Sequence, residues 1–406
     1  MVRHRGRRVP VHPAPRRPGD LHCRSRQRSQ LARHRPHPRK GRRAGPWCRA
    51  PRHRPCRLFR YRRLGHGSPR PAAHPSRSQL PVSDKKIELH LHLEGAAPPD
   101  FIRALAAEKH VDLSGLFDAQ GHYAYRGFEE FLRVYEAATS VLQTPRDYAR
   151  LLAEVLERSA DQGVIYTELF VSPEFCGGGD LVAWRDYLAA MTEVADSARG
   201  QGIDSRAVLT AIRHFGPERA KRTAICAAET AFDAGGGWVT GFGMGGAEGF
   251  GQAADFAWSF DCAREAGLGL TCHAGEWAGP DSIRQALELG CTRIGHGVRA
   301  IEDAALMREL SDRQVTLEVC PGSNLALGLY PGWAAHPIAR LADAGLRVTV
   351  STDDPPFFHT TMRQEYDRLA DAFGWGEAEF LRINQWALDA AFCDAETRDR
   401  LRKEFP

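Results

Sequence analysis

Four short stretches of the chain concentrate the residue types that bind metal ions and move protons. In "HLHLEG", His90 and His92 stand two apart, which on a strand points both imidazoles to the same side. "HAGE" supplies His273 and, three residues on, Glu276; "GHG" supplies His296 between two glycines that permit close backbone approach. "STDDPP" sets Asp353 beside Asp354 at the end of an apolar run. A turn capped by one Asp explains one of these acids but not two. Adjacent carboxylates become tolerable when a cation lies beside them. Three imidazoles and one carboxylate can hold a divalent metal and leave a position open, as a catalytic site requires and a closed structural site does not. Such nitrogen and oxygen ligands suit zinc, and admit iron, cobalt or manganese. A bound zinc ion lowers the pKa of water from about 15.7 towards 7. One Asp of the pair would then serve the metal while its neighbour faces a substrate.

Positioning residues so far apart in sequence needs a scaffold that gathers strand ends. From Lys85 onward, apolar runs alternate with amphipathic segments. Eight strands are expected, at residues 86–93, 164–172, 205–214, 238–246, 268–276, 293–298, 315–320 and 347–354, with helical patterns between them. The alternation indicates a parallel α/β architecture. A closed (β/α)8 barrel fits the count, and an open doubly wound sheet is the alternative. The polar residues decide for the barrel, because they fall at the C-terminal ends of the strands, where barrel active sites lie. About 70 residues separate the first two strands, more than one crossover helix needs. There "FEEFLRVY" spaces Phe128, Phe131, Leu132 and Tyr135 as one helical stripe. Such a stripe is either ordinary core or a lid laid across the barrel mouth.

The overall charge of +5 averages two unlike pieces. Residues 1–80 hold 23 Arg, one Lys and a single acid, Asp20, with 12 of the 25 Pro and 8 of the 17 His. Residues 81–406 hold 31 basic against 49 acidic residues, a charge of −18, which disfavours nucleic acid as a partner of this body. The basic segment 1–81 has no periodicity with which to build a core and is expected to be disordered. It reads as translated upstream sequence, with the functional start near Val82, rather than as a nucleic-acid or targeting arm; N-terminal sequencing of native protein decides this. Ten cysteines without a C-x-x-C pair suggest reduced thiols and a cytoplasmic protein. No apolar run reaches the roughly 18 residues of a membrane span. The expected organisation is one domain over 82–406, acting on a small molecule; the oligomeric state is not legible.

The stretches "ELHLHLEG", "HAGEWAGPDSIRQALELGCTRIGHGVRAIEDAALM", "CPGSN" and "STDDP", in this order, resemble the adenosine/adenine deaminase family of the amidohydrolase superfamily. The resemblance covers residues 85–406. It implies a (β/α)8 barrel and one Zn²⁺ per chain, held by His90, His92, His273 and Asp353. By the same resemblance Glu276 donates a proton to purine N1, and His296 orients or deprotonates the attacking water. Asp354 then meets N7 and the backbone N–H of Gly246 meets N3, with His92, Glu94, Phe128 and Phe131 bordering the substrate. No Lys ends the fourth strand, which favours one metal over two.

The motifs divide on the substrate. Glu94 stands where typical adenosine deaminases carry Asp and adenine deaminases commonly carry Glu, whereas "AGPDSIRQALELG" is closer to bacterial adenosine deaminases. Adenosine, with 2′-deoxyadenosine, is therefore the first expectation, followed by adenine or a modified aminopurine. A non-catalytic purine-binding protein would not need both Glu276 and His296. An RNA-associated enzyme would need the basic arm.

Overall fold

The computed structural model describes residues 84–231 and 237–405. The basic segment 1–81, and the expectation attached to it, lie outside these residues. Eight parallel strands run in sequential order: β1 Lys86–His92, β2 Val164–Val171, β3 Asp204–Ile212, β4 Val239–Gly245, β5 Gly269–Ala274, β6 Arg293–His296, β7 Thr316–Val319 and β8 Arg347–Val350. Each pairs with its successor. The sheet closes where Leu91 bridges Asp353, through Asp353 N–H to His90 O at 3.1 Å and His92 N–H to Asp353 O at 3.0 Å. The fold is a (β/α)8 barrel, not an open sheet.

Helices cover the outside because each carries one apolar stripe. The helix Leu181–Arg199 buries Trp184, Leu188, Met191 and Ala195 at spacings of four, three and four. The insertion between β1 and β2 folds as three helices, α1 Pro99–Lys109, α2 Gly127–Thr139 and α3 Pro145–Asp161. The start of α3 is fixed by a reciprocal cap, in which Thr144 Oγ1 accepts from Asp147 N and Asp147 Oδ2 accepts from Thr144 N. The stripe of α2 turns inward, and Phe131 is 5% exposed.

The bottom of the barrel is plugged by Phe392. A Cβ on Gly241 or Gly269 would come within 2.8 or 2.3 Å of its ring. This close approach accounts for glycine at the starts of β4 and β5, where a side chain would displace the plug. Above it lies a charged ladder. Arg293 stacks 3.6 Å from the Phe392 ring centroid and pairs with Glu168 at 2.6 Å and Glu318 at 2.5 Å, all three buried. Glu318 continues upward to His90 Nδ1 at 2.9 Å. The barrel interior thus links the plug to the C-terminal face of the strands through paired charges, the condition under which buried ions persist.

Candidate active site

The C-terminal strand ends gather the four stretches singled out above around one cavity. His92, His273, Glu276, His296, Asp353, Asp354 and Gly246 line it from the barrel. Phe128, Phe131, Leu132, Tyr135 and Glu136 line it from α2, so the α2 stripe covers the mouth. Phe128 packs against Trp277 at 5.1 Å between ring centroids, and Phe131 against Phe357 and Phe358 at 5.4 and 5.2 Å.

His90 Nε2 and His92 Nε2 each lie 3.1 Å from His273 Nε2. Asp353 Oδ1 is 3.4 Å from His90 Nε2 and 3.3 Å from His92 Nε2. The outer nitrogens fix the tautomers. His273 Nδ1 donates to Met244 O at 3.1 Å, and His90 Nδ1 donates to Glu318. His273 Nε2 therefore turns a lone pair towards His90 and His92, an arrangement that a cation between the rings satisfies. Burial keeps His273 well below the ordinary imidazole range and His92 at about 4, so these rings are unprotonated at neutral pH. Burial opposes a charge on His90 as well, but its hydrogen bonds to Asp353 and Glu318 prevail and lift it to about 9, so the cluster draws positive charge into itself. His90, His273, His296 and Asp353 form one group of donors close enough together to hold a divalent metal, and His92, Asp353 and Asp354 form another. Among the imidazoles, His296 is set apart by its tautomer.

That tautomer is set from a distance. Ile338 N–H donates to His336 Nδ1 at 3.2 Å, leaving the proton of this neutral ring on Nε2. His336 Nε2–H reaches Asn324 Oδ1 at 3.1 Å. The Asn324 amide is thereby oriented with Nδ2 towards His296 Nδ1 at 3.4 Å. His296 accepts there and carries its proton on Nε2. This nitrogen faces Glu276 Oε2 at 3.8 Å and Asp353 Oδ2 at 3.9 Å. Burial holds His296 at about 3, hence neutral.

The paired acids part company through the backbone. Asp353 has φ 67° and His296 φ 60°, left-handed conformations that non-glycine residues adopt at a cost of order 1–3 kcal/mol. Both strained residues sit at strand ends in the site. Asp353 is turned to the histidines, with Ser323 Oγ donating to its Oδ2 at 2.7 Å. Burial alone would raise it, but His90, His296 and His92 hold it well below the usual carboxylate range. Asp354 lies instead over Gly95, where a Cβ would come within 1.6 Å of Oδ1. Burial and then the Asp353 charge push Asp354 well above the usual range, and its Oδ1 is buried without a hydrogen-bond partner. It is an acid of raised pKa facing the cavity with an unused polar atom.

Glu276 is 4% exposed, and burial followed by Asp353 and Glu248 raises it well above the ordinary value. Gly246 has φ 92° and packs so closely that a Cβ would sit 2.8 Å from His214 Nδ1. Glu94 is not among the residues lining the cavity. Its Oε1 accepts from Ser172 N at 3.2 Å and Tyr148 OH at 3.3 Å, and burial lifts its carboxyl to about 7. It acts on the wall of the cavity through Ser172 rather than at its surface. Sequence reading missed Glu318, Asn324, His336 and Glu248. A charged residue inside the apolar run "VTLEVC" was the available signal for Glu318; His336 and Glu248 sit in loops, and Asn324 in a helix of only six residues, too short to show a periodicity.

The profile of a family described as Adenosine deaminase matches residues 85–405. Adenine deaminases of Rhizobium leguminosarum bv. trifolii and Agrobacterium fabrum are each 48% identical over 320 residues, covering 78% of this chain and 97% and 96% of their own lengths. The solved adenine deaminase of Arthrobacter aurescens superposes with a TM-score of 0.73 at 26% identity, covering 79% of this chain and 98% of its own. An amidohydrolase from Burkholderia ambifaria with bound zinc superposes with a TM-score of 0.70 at 26% identity, over 79% of this chain and 89% of its own. These relatives overturn the ranking of adenosine ahead of adenine. The long Glu94, spent on Ser172 and Tyr148 beneath the cavity wall, is the residue that the ranking underweighted. The strand-end donors, the paired acids and the match over residues 85–405 place this chain in the adenosine deaminase family, as a hydrolase acting on carbon–nitrogen bonds of cyclic amidines.

Proposed function

We propose that the protein hydrolyses adenine to hypoxanthine and ammonia, with one zinc ion per chain held by His90, His92, His273 and Asp353. The observation that carries the choice of free base is the 48% identity to adenine deaminases across the whole barrel. The buried Glu94 supports it, since its contacts with Tyr148 and Ser172 hold the wall against a larger substrate. The zinc-bound amidohydrolase neighbour supports the identity of the metal. When bound, the ion would supply Lewis acidity, bringing the deprotonation of water into the neutral range.

The side chains divide the remaining work. Protonated Glu276 gives its proton to N1, which draws electrons from C6 and exposes that carbon to attack. Asp354, protonated and with a free Oδ1, shares a hydrogen bond with N7. The Gly246 N–H meets N3, and together these contacts present C6 to the donor cluster. His296 holds the attacking water through Nε2–H and, as a neutral donor in this tautomer, orients it rather than accepting its proton. The aromatic face of α2, with Phe128 and Phe131, excludes bulk water. The water oxygen bonds to C6 and the C6–N6 bond breaks; of the two protons the water gives up, one completes the ammonia that leaves and the other restores the proton that Glu276 gave to N1.

The test is conversion of adenine by purified protein, followed by ultraviolet absorbance and ammonia release, before and after chelation. Turnover that disappears with the chelator and returns with one equivalent of zinc is expected. Hypoxanthine formation at full rate in metal-free protein would reject the reading.

A further inference from the structure

We infer that Glu248 is a positioning residue that holds the loop after β5 and through it aims Glu276. The inference rests on the deaminase reading, in which Glu276 delivers the proton, and not on the choice of adenine over another aminopurine.

Glu248 lies in the loop after β4, 4% exposed, and its carboxylate accepts five hydrogen bonds. Oε1 takes Gly275 N at 2.6 Å and Ser282 Oγ at 2.6 Å. Oε2 takes Glu276 N at 3.2 Å, Trp277 N at 2.7 Å and Ala278 N at 2.9 Å. Four successive amides converging on one carboxylate form an anion nest, just before the helix Pro280–Glu288. The carbonyls of the same loop are held from the other side, Gly275 O by Arg299 N at 2.9 Å and Trp277 O by Arg299 Nη1 at 2.6 Å. Gly275 stands at φ 68°, and a Cβ there would come within 2.4 Å of Ile283. The loop therefore has one conformation, and Glu248 is its central acceptor.

Glu276 depends on that conformation because its own carboxyl has little else to hold it. Among the described residues the neutral His296 sets its Nε2 3.8 Å from this carboxyl, beyond hydrogen-bond reach. The direction of the side chain follows from its backbone, and Glu248 fixes the backbone on both sides of it. The lid is tied to the same point, since Trp277 packs against Phe128. A displacement of about 1 Å at a reacting group can cost about 100-fold in rate, so the loop's position matters to turnover.

Glu248→Gln keeps the size of the side chain but places an NH2 group against amide donors and leaves one oxygen to accept. Steady-state kinetics on the zinc-loaded variant should show kcat lowered about 100-fold with KM within roughly threefold of wild type. Zinc content by elemental analysis should be unchanged. Glu248→Asp, which keeps the charge but reaches fewer of the amides, should fall between the two. In a Glu276→Gln background, adding Glu248→Gln should change kcat by less than about twofold, because its effect is already absent. A full further loss in that background would overturn the inference, as would loss of zinc in Glu248→Gln. If Glu248→Gln fails to fold, Glu248→Asp carries the cycle, and wild-type kcat in Glu248→Asp together with additivity would overturn it equally. Wild-type protein is assayed first on adenine and adenosine. Failure on adenine strikes the substrate reading alone, and the cycle then proceeds on whichever compound is turned over.

Discussion

His296 faces the reacting centre as a hydrogen-bond donor because of groups that never touch the cavity. The backbone amide of Ile338 sets the proton of His336, which sets the amide of Asn324, which sets His296. Each step is a choice between two states, and each is forced by the one before. His336→Leu removes the donor that holds Asn324, freeing its amide to rotate and offer oxygen to His296 Nδ1. The proton of His296 then moves to Nδ1 and its Nε2 becomes an acceptor. The expected result is kcat lowered about 10–100-fold with KM and zinc content retained, and a changed ¹⁵N shift of the His296 ring nitrogens. His336→Gln, which can still donate to Asn324, should restore most of the rate. Wild-type turnover in His336→Leu would show that the tautomer does not matter.

At the scale of elements, strand ends were legible and their supports were not. The placing of His90, His92, His273, His296 and the Asp353–Asp354 pair at strand ends could be read because strand periodicity assigns a face and motif position assigns an end, while the division of roles among them came from the family resemblance. Glu365 could not be read. It lies on the helix Met362–Phe373 and accepts from Gly322 N at 3.0 Å and from Thr360, holding the first turn of the short helix Pro321–Ala326 that presents Ser323 and Asn324. A Cβ on Gly322 would come within 2.1 Å of its Oε1, which explains the glycine of "CPGSN" in terms no local pattern reveals. Burial lifts Glu365 to about 7. Its folded pKa thus exceeds its unfolded value. Both states are protonated below the unfolded pKa, and between the two values the unfolded chain alone ionises, so stability falls as pH rises towards 7. Urea unfolding at several pH values should show that Glu365→Gln loses less stability than wild type over this window, by on the order of 3 kcal/mol. Parallel curves for the two proteins would contradict the assignment.

For the whole molecule, the eight-strand alternation foretold the barrel because parallel strands buried on both sides read as separate apolar runs. The same reading hid the ladder from Phe392 through Arg293 and Glu318 to His90, since a charged residue within such a run has no partner visible in sequence. Substrate choice was misread for a related reason. Glu94 acts on the cavity through Ser172 and Tyr148, contacts that exist only once β1, β2 and α3 are packed together. The molecule as a whole is therefore read as a barrel whose catalytic face serves a free base. The most direct test is the ratio of kcat/KM for adenine to that for adenosine, measured on one zinc-loaded preparation by ammonia release. The account predicts a ratio of at least about 100 in favour of adenine. A ratio of one or below would contradict it.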